Sequence, residues 1–117
     1  MYYTWQLLKN TLIGKGEEFR SMLEILNKGN PVIIDVRKPR DFTKGHLEGA
    51  LNITLEEINP LIPDLIRIRK PVIVISQKGI RSEKTTVYLK EAGLEVYDGG
   101  SWKSLKKLVN KYEYSNN

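Results

Sequence analysis

The stretch Val72-Ile73-Val74-Ile75-Ser76-Gln77-Lys78-Gly79-Ile80-Arg81-Ser82 has the make-up of an anion site. Four consecutive β-formers after a proline predict a buried strand, and the polar, glycine-containing turn behind them runs into a segment with helical features. At the carboxyl end of a parallel strand, the N–H groups of such a loop and the N-terminus of the next helix can converge on one negative charge. Ser76 is the first residue off that strand. To act as a nucleophile its hydroxyl would need an adjacent general base, and His46 is the single histidine of the chain.

The chain contains no cysteine, which excludes disulfides, thiolate metal sites and thiol catalysis by its own residues. No second metal-ligand type clusters beside His46, so neither a metal site nor a cofactor is expected. Gly45 and Gly49 bracket His46, as glycines do where backbone approaches closely or φ is positive, and the histidine reads as a hydrogen-bonded packing residue. Asp35 lies in the apolar run Val32-Ile33-Ile34-Asp35-Val36. A carboxylate there needs partners, because an unpaired buried charge is costly. Arg37 is the near candidate and Arg37 with Asp41 a second pair, so Asp35, Arg37, Asp41 and His46 read as structural support beneath the loop.

The elements that must position these groups follow from periodicity. At 117 residues the chain is one domain with room for a real core. In residues 1 to 13, Trp5, Leu8 and Leu12 share a helical face, predicting a short amphipathic helix that packs on the domain or anchors to a partner or membrane surface; Gly14 and Gly16 end it. We therefore divide the chain into residues 1–16 as helix and linker, 17–114 as the domain and 115–117 as a tail. Phe19, Met22, Leu23 and Leu26 predict a core-facing helix from Glu17 to Lys28, closed by Gly29. Val32–Val36 reads as a strand covered on both faces, Lys38–Phe42 as a polar turn and Leu51–Ile53 as a short strand. Thr54 and Glu57 form a capping-box pattern before a helix that Pro60 and Pro63 shorten or break. Ser82 is expected to cap a helix from about Glu83 to Ala92, ended by Gly93. A strand Leu94–Tyr97, a turn Asp98–Ser101 and a last helix with Leu105, Leu108, Val109 and Tyr112 inward and lysines outward complete the chain. Alternating strands and helices predict an open, mostly parallel α/β sheet.

The order of motifs resembles the rhodanese family. Ile34-Asp35-Val36-Arg37-Lys38-Pro39-Arg40-Asp41-Phe42 followed by Gly45-His46-Leu47-Glu48-Gly49-Ala50-Leu51-Asn52-Ile53 is similar to its D-V-R-x-P-x-E-F-x-x-G-H-I-x-G-A-x-N-I signature. Val72 to Ser82 resembles its active-site strand and loop, V-I-V-Y-C-x-x-G-x-R-S, and Gly93 to Trp102 its closing segment. The resemblance implies a rhodanese-like fold, an open, mostly parallel central sheet with helices on both faces. It also implies transfer of sulfane sulfur through a cysteine persulfide held in a loop of N–H groups. By position, Ser76 stands where that family has its nucleophilic cysteine, Gln77, Lys78, Gly79 and Ile80 form the cradle, Arg81 is the loop arginine and Ser82 closes the loop. The implied partners are a small anionic sulfur compound such as thiosulfate, or a sulfur-carrier or thiol protein.

The serine decides the mechanism. An electropositive loop can lower a thiol from its ordinary pKa of about 8.5 enough to give thiolate at neutral pH, whereas a hydroxyl is far more basic and its oxygen cannot become a persulfide. The chain is therefore expected to be inactive in persulfide transfer while keeping an anion-binding loop. The alternative is a sulfurtransferase whose cysteine was replaced by Ser76, naturally or by engineering. A serine hydrolase or phosphatase would lack a base, and the resemblance implies a loop sized for sulfur, since four residues separate Ser76 from Arg81 where the related phosphatases have one more. The charge of +5, from 19 Lys and Arg against 14 Asp and Glu, comes without an arginine-rich block or aromatic-basic interleaving, so nucleic acid is not expected. Without an apolar run of transmembrane length or a signal-peptide pattern, a cytoplasmic protein is the expectation.

Overall fold

A computed structural model describes residues 15–116, with side chains described for residues 16–110. The expected N-terminal helix, with Trp5, Leu8 and Leu12, lies outside the described residues, as does the Tyr112 side chain. The elements run α1 (Lys15–Lys28), β1 (Val32–Asp35), α2 (Pro39–Lys44), β2 (Leu51–Asn52), α3 (Leu55–Ile58), a 3₁₀ turn (Asn59–Leu61), α4 (Ile62–Ile68), β3 (Val72–Ser76), α5 (Ile80–Glu91), β4 (Val96–Ser101) and α6 (Trp102–Asn116). The strands form one parallel sheet in the order β2-β1-β3-β4. From β1 the chain moves one way to β2, and from β3 the other way to β4. The loops after β1 and β3 therefore diverge, opening a crevice at the carboxyl ends of two neighbouring strands, where open α/β sheets bind ligands.

All five residues of β3 are buried, which explains its unbroken apolar run: the strand is covered on both faces. Val72 and Val74 pack with Ile34, Ile58, Leu65 and Leu89 on one face. Ile73 and Ile75 pack with Met22, Leu47, Trp102 and Leu105 on the other. The alternation puts α3, α4 and α5 over one face and α1 and α6 over the opposite one.

Several boundaries differ from expectation. Residues expected as a turn fold instead into α2, which Pro39 starts at its first position with a ready-made φ. Thr54 is the N-cap of α3 without a side-chain cap; its hydroxyl donates to Glu57 Oε1 at 2.7 Å, and the Glu57 N–H reaches the Thr54 carbonyl at 3.0 Å. Phe19, expected in the core, is 44% exposed. Helix α5 begins three residues before the expected Glu83, because Gly79 in the left-handed region (φ +90°) serves as its N-cap, placing Ser82 inside the first turn. Thr85 and Thr86, poor helix formers, are buried and donate to the carbonyls of Arg81 (2.8 Å) and Ser82 (2.7 Å). Strand β4 runs on through Asp98-Gly99-Gly100-Ser101, expected as a turn, by taking up one extra residue: Val74 pairs with Asp98 and Ile75 with Gly100.

Candidate anion-binding site

Ser76 closes β3, and its side chain is directed into the loop that follows. The hydroxyl oxygen accepts hydrogen bonds from the N–H of Gly79 (2.9 Å) and of Ser82 (3.3 Å), and the residue is 1% exposed. Gly79 turns its N–H back toward Ser76 at a φ of +90°, a conformation that glycine, having no Cβ, adopts at little cost. The first intrahelical bond of α5 runs from Glu83 N–H to the Gly79 carbonyl at 3.1 Å, so the N–H groups of Ile80 and Arg81 precede the helical ladder and carry the positive end of its dipole.

The loop is tied down from behind. The Ser82 hydroxyl lies 2.7 Å from Asp98 Oδ1 and 3.0 Å from the Gly79 carbonyl. With one proton to give, it donates best to the carboxylate. The same Asp98 oxygen accepts the N–H of Gly100 at 2.9 Å, across the irregularity in β4. In the sequence Asp98 falls in an expected turn, and its lone signal there is a carboxylate beside two glycines at a strand end.

The opposite wall rests on Asp35 and Arg37, buried to 0% and 4% exposure. Asp35 accepts from Arg37 Nε at 3.0 Å and 3.1 Å, from Nη2 at 2.8 Å and from the Arg37 backbone N–H at 3.0 Å. Arg37 reaches onward to the Gly45 carbonyl (Nη2, 2.7 Å) and the Asp41 carbonyl (Nη1, 3.3 Å), so the contact with Asp41 runs through its backbone rather than its carboxylate. The guanidinium sits 4.5 Å from the centre of the Trp102 ring. Asn52, seen in sequence only as a strand residue, ties β2 to this wall by donating to the carbonyls of Asp35 (3.0 Å) and Arg37 (2.8 Å). His46 is exposed and outside the cradle. It stacks on Phe42 at 3.9 Å, and its Nδ1–H donates to the Phe42 carbonyl at 2.8 Å.

Between the walls lies an open cavity of about 400 Å³. Ser76, Gln77, Lys78, Ile80 and Arg81 line it from the β3 side, and Arg37, Lys38, Arg40 and Asp41 from the β1 side. Among the described residues no group of His, Cys, Asp and Glu is arranged to hold a metal ion. No helix of the described residues is long and apolar enough to cross a membrane.

A family model described as Rhodanese-like domain matches residues 18–107. YibN of Escherichia coli (strain K12) is 33% identical over 87 residues, covering 73% of this chain and 58% of YibN. The thiosulfate sulfurtransferase GlpE of Pseudoalteromonas translucida is 33% identical over 81 residues, covering 67% of this chain and 76% of that protein. Among solved structures, a rhodanese with anions from E. coli aligns with a TM-score of 0.57 and 29% identity over 63% of this chain and 89% of its own. Reduced Bacillus anthracis CoADR-RHD aligns with a TM-score of 0.60 and 27% identity over 74% of this chain and 15% of its own. The chain thus spans little more than half of YibN and a small part of CoADR-RHD.

Proposed function

The chain belongs to the rhodanese-like domain family, and we propose that with serine at position 76 it uses that family's loop as a non-covalent binder of small sulfur oxyanions. The observation that carries this reading is the Ser76 oxygen, buried and accepting from the N–H groups of Gly79 and Ser82, in the lining of a cavity that Lys78 and Arg81 also line. A thiolate here would bring its own negative charge. The hydroxyl brings none, so the helix terminus and the two cations are left for an anion from solution. Sulfur bonded to Ser76 has no place in this reading, because the chain holds no cysteine to carry a persulfide. The kinship with a thiosulfate sulfurtransferase and with a rhodanese described with anions supports thiosulfate as the probe.

Calorimetric titration with thiosulfate tests it: saturable binding is expected, weakened about tenfold in Arg81→Ala by loss of a charge-assisted contact. Absence of saturable binding, or binding untouched by the substitution, would overturn the proposal.

A second reading, a sulfurtransferase whose cysteine has become Ser76, is favoured by the intact hydrogen-bond geometry of the cradle. In Ser76→Cys the two N–H groups would meet a thiolate. Its attack on the outer sulfur of thiosulfate would release sulfite and leave a persulfide, and cyanide would take that sulfur as thiocyanate and restore the thiolate. Thiocyanate formation by Ser76→Cys and none by the wild type is the expected result; an inert cysteine variant would remove this reading.

A further inference from the structure

The cavity is more basic than a single small oxyanion requires. Besides Arg37, which is paired with Asp35, four cations border the cavity, Lys38 and Arg40 from the loop after β1 and Lys78 and Arg81 from the loop after β3, against the single carboxylate of Asp41. Among the described residues none of the four enters an ion pair: the three ion pairs are Arg37 with Asp35, Arg67 with Asp64 and Lys90 with Glu18. Beside these charges, on the outer face of α5, Ile80 is 62% and Val87 52% exposed, and the two border one shallow depression with Glu83 and Lys84. Two unneutralised basic walls around a recess, with an aliphatic strip at the rim, suit a ligand with several carboxylates and an apolar side chain among them.

We propose that this surface docks an acidic peptide segment of another protein, its carboxylates meeting Lys38, Arg40, Lys78 and Arg81 and an aliphatic side chain resting on Ile80 and Val87. This extends the anion-binding reading to a larger ligand, and it rests on that reading only for the group held at Ser76. A peptide is favoured over nucleic acid because the apolar side chains of this depression, Ile80 and Val87, are aliphatic, whereas single strands are held on aromatic platforms.

The test uses a fluorescently labelled Glu-Glu-Leu-Glu-Glu peptide, its Lys-Lys-Leu-Lys-Lys counterpart and a single-stranded oligonucleotide of equal negative charge, read by anisotropy at two salt concentrations. The acidic peptide should bind saturably, more weakly at high salt, and the basic one not at all. The double variant Lys38→Gln/Arg40→Gln should lose at least tenfold in peptide affinity, and Ile80→Ser should lose about threefold. No peptide binding, equal binding by the double variant, or tighter binding of the oligonucleotide would overturn the proposal. Peptide binding without thiosulfate binding would overturn the small-anion reading alone.

Discussion

At Ser76 a single atom, oxygen in place of sulfur, distinguishes this loop from one that carries a thiol. The hydroxyl takes two backbone N–H bonds at the convergence point of loop and helix, yet cannot supply the soft, ionisable sulfur that persulfide chemistry requires. The residues around it do independent work, and Arg37 does the most: it satisfies a fully buried carboxylate, reaches two carbonyls and stacks on Trp102. Replacing it by methionine keeps much of the volume and strands the Asp35 charge. Urea unfolding of Arg37→Met should show a loss of about 3–5 kcal/mol, and the double variant Asp35→Leu/Arg37→Met should lose less, because the uncompensated charge is gone. The need for a partner at Asp35 was legible in sequence, since a carboxylate inside an apolar strand demands one. That Arg37 would meet Asp41 through a carbonyl was not, because side-chain direction depends on how α2 folds back.

At the scale of elements, the irregular end of β4 is what the sequence concealed. Glycines are depleted in strands, so Asp98-Gly99-Gly100-Ser101 reads as a turn; pairing with β3 overrides that preference and inserts one extra residue. The two glycines serve different ends. Gly100 takes a φ of +71° with open space around it, whereas a Cβ on Gly99 would lie 2.8 Å from Cγ2 of both Ile73 and Ile75. Gly99→Ala should therefore cost about 1–3 kcal/mol by overpacking, measured by denaturant midpoint. Because Asp98 links this segment to Ser82, the same variant should also weaken thiosulfate binding. Helix α5 teaches a related lesson: Ser82 looks like an N-cap, but a left-handed Gly79 moves the helix start forward and frees the serine hydroxyl to hold Asp98.

At the scale of the molecule, stability toward alkali should be set in part by Tyr97 on the edge strand. Burial, together with the Glu95 carboxylate that accepts its hydroxyl proton at 2.8 Å, pushes its phenol from 10.0 up to about 12. The folded state thus favours the neutral phenol. That contribution is fully present below pH 10 and is lost between about pH 10 and 12, as the unfolded phenol ionises first. A melting-temperature series over this range should fall less steeply for Tyr97→Phe than for the wild type. The parallel α/β class and the strand-loop-helix segment that starts at Val72 were readable from the sequence alone, because apolar runs, periodicity and motif order are local patterns that survive without coordinates. So was the absence of a thiol, a matter of composition. The tertiary structure alone decided the sheet order that opens the crevice between β1 and β3, the closure of the loop by Asp98, the brace from Asn52 and the two facing walls of positive charge. Each joins residues far apart in the chain, and only packing brings such groups within bonding distance.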